Sequence, residues 1–234
     1  MNYFILDNKK SLDYGLYITG SGAFNAPERD VETVEVPGRN GNLIIDRGRF
    51  KNVIQSYKAF IHKDFAKNTE AARAWLLSST GYRRLEDTYN PDYFRLARFS
   101  GPQNWNVRAL CAGGETELLF DCKPQRFLKS GEHSLYPSNG ATICNPTLFP
   151  ALPLIAVYGS DYGTVTVNGN PINIMNLDGH VVIDCELQDA YKGIENKNHT
   201  IYLDTFPQLM PGENFIEYSG GITSITLMPR WWTL

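Results

Sequence analysis

Apolar and polar residues alternate over short runs for most of this chain, and few runs are long enough for a helix. Residues 3–6 and 16–18 are brief β-rich runs punctuated by Gly15, Gly20 and Gly22. Val31-Glu32-Thr33-Val34-Glu35-Val36 interleaves apolar and acidic side chains, the pattern of a strand with one face buried. Pro37-Gly38-Arg39-Asn40-Gly41-Asn42 follows as a turn, since Pro-Gly and Asn-Gly both favour backbone angles that reverse a chain. Leu43-Ile44-Ile45 resumes a strand and Asp46-Arg47-Gly48 predicts a second reversal. Val53, Ile54, Tyr57, Phe60 and Ile61 suit a strand better than a helix. One helix is predicted over 68–79, capped by Asn68 or Thr69 and ended by Gly81, with Ala71, Ala74, Trp75 and Ser78 on one face. Strands are expected again at Pro91–Phe99 and Glu117–Cys122.

Beyond residue 130 no helical period appears, and hairpin signals dominate. Asn168-Gly169-Asn170 sits between Thr164–Val167 and Pro171–Ile174, a hairpin whose Asn-Gly tolerates positive φ. Asp178-Gly179 predicts a further reversal into Val181–Glu186. Thr200–Leu203, Asn214–Tyr218 and Ile222–Met228 bring the count to at least six short strands, the spacing of a β-sandwich or jelly roll. The expected class is mainly β, with one helix in the N-terminal half and a β-sandwich in the C-terminal half.

Five of the thirteen prolines fall between Pro124 and Pro153. Proline fixes φ and removes a backbone donor, so this stretch is expected to be a stiff joint, neither helix nor central strand. Charge changes at the same place. Residues 1–130 hold 19 Lys+Arg against 15 Asp+Glu, and residues 131–234 hold 3 against 10. The organisation expected is two domains, 1–130 and 131–234, each long enough for its own core.

Composition excludes several classes. Hydrophobic content of 42% and charge of 20% are globular values. A net charge of −3 argues against a dedicated nucleic-acid binder, so no specific nucleic-acid binding is expected. No apolar run approaches the ~20 residues that a membrane helix needs, so no membrane insertion is expected either. The start, MNYFILDNKK, lacks the build of a secretory signal, so synthesis in a cytoplasm is expected. Cys111, Cys122, Cys144 and Cys185 have no zinc-ligand spacing and are expected to be buried free thiols. His62, His133, His180 and His199 stand alone. No cofactor and no metal are expected. Asp184 and Glu186 fall on one face of a predicted strand; the alternation around them reads as a solvated outer face, the other reading being acid–base or Ca²⁺ chemistry. Trp231 and Trp232 at the end of the chain either pack back on the protein or form an interface.

The order of several segments resembles one family. The segments are Pro37–Leu43 followed by Asp46 and Phe50; Tyr93-Phe94-Arg95-Leu96-Ala97-Arg98 after a helix; Phe120–Phe127, then Asn145-Pro146-Thr147 and Pro153-Leu154-Ile155; and the closing Pro229-Arg230-Trp231-Trp232-Thr233-Leu234. Together, across nearly the whole chain, they resemble the distal tail proteins of long-tailed phages that infect Gram-positive hosts. The resemblance implies a structural virion protein at the tail tip with no enzymatic activity. It implies an N-terminal domain that forms a hexameric ring between the tail tube protein and a tail-associated hub protein, and a galectin-like C-terminal β-sandwich. Some family members grip receptor-binding proteins with a long arm on that second domain; about 100 residues leave no room for one here. The expected contact residues are Arg39, Asn40 and Asn42 in the turn, Leu43, Ile45 and Phe50 in its stem, and Trp231 and Trp232.

Two other readings stand beside this one. A glycan-binding module would use Tyr158, Tyr162, Tyr191 or Tyr202 as platforms, although the second half offers one Arg and no Trp before 231. A glycosidase would use Asp184 and Glu186, about 7 Å apart along a strand, with no cleft-forming loops in view.

Overall fold

Ten strands and one helix come from the first half of the chain. The computed structural model describes residues 1–20, 22, 25–108 and 112–234. The strands are β1 (Phe4–Leu6), β2 (Lys9–Lys10), β3 (Tyr17–Thr19), β4 (Arg29–Val34), β5 (Leu43–Phe50), β6 (Val53–Ile61), β7 (Arg83–Asp87), β8 (Tyr93–Phe99), β9 (Asn106–Arg108) and β10 (Gly113–Leu128), with the helix α1 (Phe65–Leu76) between β6 and β7. The second half adds β11 (Ala141–Asn145), β12 (Leu154–Val167), β13 (Asn170–Asp184), β14 (Asp189–Lys192), β15 (Glu195–Asn196), β16 (Ile201–Tyr202), β17 (Gly212–Met228) and β18 (Trp232–Thr233). The protein is mainly β. Its contacts divide it into two units, Met1–Arg126 with Leu234, and Phe127–Thr233.

In the first unit the strand order is β2-β1-β7-β8-β10-β6-β3, with β9 also on β10. Strict alternation makes β6 a half-buried strand: Val53, Gln55, Tyr57, Ala59 and Ile61 point inward. The core is aromatic. Phe4 stacks at 5.6 Å on both Tyr57 and Trp75, and Tyr14 stacks on Trp75 at 4.4 Å. Helix α1 starts and ends earlier than expected, and it buries Thr69, Ala72, Trp75 and Leu76. Trp75 is core as expected, but Ala71 and Ala74 are exposed. Alanine favours a helix without favouring either face, so the alanine run carried no information about which side faces inward. The helix end is tied down by Arg83, a buried side chain that donates to the carbonyls of Trp75 (3.2 Å) and Leu76 (2.6 Å). Cations are favoured at this end of a helix.

The second unit pairs its strands in the order β11-β17-β12-β13-β14-β15, with β16 on β13. Asn168 (φ 51°) and Gly169 (φ 81°) form the expected two-residue hairpin turn between β12 and β13. The predicted reversal at Asp178-Gly179 is absent: both residues lie inside β13. The expected short strands merge into three long ones, β12, β13 and β17, of 14, 15 and 17 residues. The glycines read as turns instead bend these strands in mid-course. Gly159 pairs with Gly179 and Ile222, and register shifts at Gly159 and between Asp161 and Gly163 mark bulges. Ile155 and Val157 before the bend, and Val165 and Val167 after it, share one core with Ile183, Ile216 and Leu227. The sheet thus curls over and encloses its own apolar face.

The bend depends on backbone approach. A Cβ at Gly221 would lie 1.8 Å from the Ser160 carbonyl oxygen, and one at Gly159 would lie 2.2 Å from the Gly221 carbonyl oxygen. Gly221→Ala is expected to cost about 3 kcal/mol of stability, the upper range for overpacking. Chemical denaturation measures it, and a cost below about 1 kcal/mol would show that the bend tolerates a side chain.

Only the start of the proline-rich stretch meets the boundary between the units; the rest of it is not a joint. The boundary between the units falls inside β10, and Pro137, Pro146, Pro150 and Pro153 all lie within the second unit. They flank β11, which is an edge strand, where a missing N–H costs no ladder bond. Asn145 holds the following turn: its amide donates to the carbonyls of Phe149 (3.0 Å) and Leu209 (2.9 Å). Cys122 and Cys185 are buried free thiols as expected, and burial pushes each up to about 12. Cys144 is free but exposed on the edge strand β11, and Cys111 lies outside the described residues.

Candidate functional site: a self-supported β-ribbon

Strands β4 and β5 pair only with each other, apart from both larger sheets. Their register sets Val31 opposite Asp46, Glu32 opposite Ile45, Thr33 opposite Ile44 and Val34 opposite Leu43. Sequence alternation predicts one buried face here. Every residue from 31 to 49 is instead exposed. The expected reversal at Asp46-Arg47-Gly48 is a bulge inside β5: Gly48 takes φ 71° and donates its N–H to Asp46 Oδ1 at 2.8 Å. The chain therefore runs straight on, and the ribbon is longer than its sequence suggests.

The ribbon grows out of the first unit along the line of β6. Arg29 pairs with Phe50, the Lys51 N–H donates to the Glu28 carbonyl (2.8 Å), and the Asn25 amide donates to the Ile54 carbonyl (2.6 Å). The two chains thus stay in step past the ribbon's base and onto β6. Ion pairs cross-link that base: Arg29–Asp46 (3.0 Å), Arg47–Glu32 (3.0 Å), Arg49–Asp30 (2.7 Å) and Lys51–Glu28 (3.1 Å). The hydrogen bond from Arg49, joined by the positive charges of Arg49, Arg47 and Lys51, holds the Asp30 carboxyl below its ordinary value. Exposed pairs of this kind add little stability one by one. Their alternation along both strands does fix the register, because a one-residue slip would break all of them.

Beyond the ion pairs the ribbon turns apolar. One face carries Val31 and Ile44, and the other carries Val34, Leu43 and Ile45, with Val36 beyond them. Ile44 is 65% exposed, Ile45 45% and Leu43 41%. The tip reverses through Gly38 (φ 82°) and Gly41 (φ 80°), with the Arg39 N–H donating to the Val36 carbonyl at 3.1 Å. Isolated two-stranded ribbons are marginal in water, and an exposed apolar ribbon edge invites pairing with another chain.

The expected contact residues fall in two places. Arg39, Asn40 and Asn42 are exposed at the tip, and Leu43 and Ile45 are exposed in the stem. Phe50 is half-buried at the base beneath the Arg29 guanidinium, 4.7 Å from its ring. Sequence reasoning missed Ile44, the most exposed of the set, and the valines of β4, which alternation assigned to a half-buried strand. Trp231 and Trp232 are elsewhere, in the second unit. Trp231 is only 5% exposed, in the core. Trp232 stacks on Phe149 at 4.5 Å and donates its indole N–H to the Pro150 carbonyl at 2.9 Å.

Asp184 is likewise not on a solvated face. It is buried at the end of β13 and receives both guanidinium arms of Arg230, at 2.7 and 2.9 Å, and the N–H groups of Glu186 and Leu187. Burial works to raise this carboxyl, but the hydrogen bonds from Arg230 and the backbone outweigh it and hold it below the ordinary value. Its four hydrogen bonds thus tie β13 to Arg230 and to the turn at Glu186 and Leu187. Among the described residues no group of His, Cys, Asp and Glu could hold a metal ion, and no helix is long and apolar enough to cross a membrane.

No protein-family model and no curated protein matches this sequence. Solved structures do match the fold. One is SPP1 Dit (gp 19.1), described as a paradigm of the hub adsorption apparatus in Gram-positive infecting phages; the match covers 100% of both chains with a TM-score of 0.80 at 11% identity. Two others are chains of the phage P2 baseplate in its activated conformation. The calcium form matches 97% of each chain with a TM-score of 0.54 at 8% identity. The strontium form covers 97% of this chain and 98% of that one, with a TM-score of 0.50 at 9% identity. The resemblance to distal tail proteins is therefore one of fold, carried over the whole chain.

Proposed function

We propose that this chain is a structural subunit of a phage tail tip, a distal tail protein, whose copies join into a closed ring through the β4–β5 ribbon. The observation that carries this reading is the ribbon itself, a stiffened arm with an apolar tip that no part of the described chain covers. The fold shared with SPP1 Dit supports it, and six copies is the number that the family resemblance suggests. On this reading the ring links the tail tube to a hub protein in the virion. The first unit makes the ring contacts and the second is a self-contained sandwich. Trp231 and Trp232 then serve packing of that second unit.

Mass measurement tests the proposal. Light scattering or native mass spectrometry of the purified chain at tens of micromolar is expected to give a single closed species near six times 26.4 kDa. A strictly monomeric chain under those conditions would overturn it.

A further inference from the structure

The ribbon supplies one half of a contact, and the same unit carries a surface shaped for the other half. An open groove of about 540 Å³ lies over β6 and β10. Its floor is Ala59, Phe60 and Leu119, and Pro102 and Asn104 form a wall. The Thr116 hydroxyl pins that wall by donating to the Asn104 carbonyl at 2.6 Å. Glu115, Glu117 and Lys58 add charge. The ribbon tip offers matching chemistry on one face, Val34, Leu43 and Ile45 for the floor, with Arg39 and Glu35 as counter-charges.

The tip cannot reach the groove of its own molecule. The groove lies at the far end of β6, around Lys58 and Phe60, and the tip lies beyond the near end. Strands β5 and β6 follow one another without pairing, and the flanking chain stays in step across their junction. Leu43 is fifteen residues before Lys58 on this line, about 50 Å at strand rise. Donor and acceptor are thus different surfaces at opposite ends of one unit. A contact between two different surfaces is head-to-tail, and when its rotation closes it makes a ring.

We infer that the β4–β5 tip of each copy seats in the β6–β10 groove of the next, with Leu43 and Ile45 over Phe60 and Leu119, and Arg39 facing Glu117. This rests on the ring reading above and names its acceptor surface. The test is site-specific cross-linking in a Cys144→Ser background. Ile45→Cys is combined with Asn104→Cys, and separately with Lys58→Cys; all of these positions are exposed. Mild oxidation of either double variant is expected to give a covalent ladder that stops at the ring number. Single variants, and Ile45→Cys with Thr223→Cys on the second unit, should give no ladder. If the chain assembles but neither groove pair cross-links, the acceptor assignment is wrong and the ring reading stands. If the chain stays monomeric, both fall.

Discussion

Replacing Leu43, Ile44 and Ile45 together with aspartate is expected to abolish self-assembly while leaving the fold intact. All three side chains are exposed in the single chain, so their loss removes no core contact. Fully burying an aliphatic side chain contributes about 1.5–3 kcal/mol. These three are already partly covered, so an interface would gain about 1–2 kcal/mol from each. Losing about 3–6 kcal/mol weakens association by about 10²- to 10⁴-fold. Three carboxylates at a dry contact add their own desolvation cost. Sedimentation velocity across a concentration series reads the association. Thermal unfolding reads the fold, and the midpoint should stay within about 2 °C, because surface substitutions away from packed features cost little. A variant that assembles at the wild-type concentration would show that the ribbon is not the contact. One that unfolds early would show that the ribbon packs on its own unit.

What the sequence displayed and what it hid have one physical root here. The strands and the Asn168-Gly169 turn were legible because each rests on local chemistry: alternation, β-branching, or a residue that accepts positive φ. Fates decided by distant partners were not legible. Val31–Val36 alternates as a half-buried strand would, yet no layer covers it. Its apolar side chains stay exposed among the described residues, and alternation cannot tell a core from an uncovered ribbon. Asp46-Arg47-Gly48 and Asp178-Gly179 carry turn chemistry, but a bulge and a strand bend require the same positive φ that a turn does. The prolines misled in the same way: they sit in the loops that flank the edge strand β11, and proline-rich loops look like a linker from sequence alone. The exposed turn at the ribbon tip was legible, because Pro-Gly and Asn-Gly announce a protruding loop. The ion-pair ladder that stiffens the loop depends on register, which only pairing reveals.

Arg230→Ala is expected to be among the most damaging single substitutions in the second unit. Asp184 is buried, and Arg230 pairs with it through both guanidinium arms. Removing one partner of a buried ion pair strands the other charge, typically at a cost of about 3–5 kcal/mol. The backbone contributes as well. Arg230 adopts φ 56°, its N–H donates to the Gly131 carbonyl at 2.8 Å, and Trp231 packs against Gly131. A double variant, Asp184→Asn with Arg230→Met, removes both charges and keeps an acceptor for the N–H groups of Glu186 and Leu187. It should therefore cost less than Arg230→Ala alone, a non-additivity that marks true coupling. The pH dependence has a definite sign. The folded state holds the Asp184 carboxyl below its ordinary value of 3.8. The stability that this ion pair contributes is then fully present above the unfolded value and is lost as pH falls through the folded one. The stability gap between wild type and Arg230→Ala should thus be widest near neutral pH and shrink steadily below about pH 4. Denaturant titrations from about pH 7 to pH 3 measure it. A gap that stays constant over that range would mean that Arg230 acts through packing and its backbone alone.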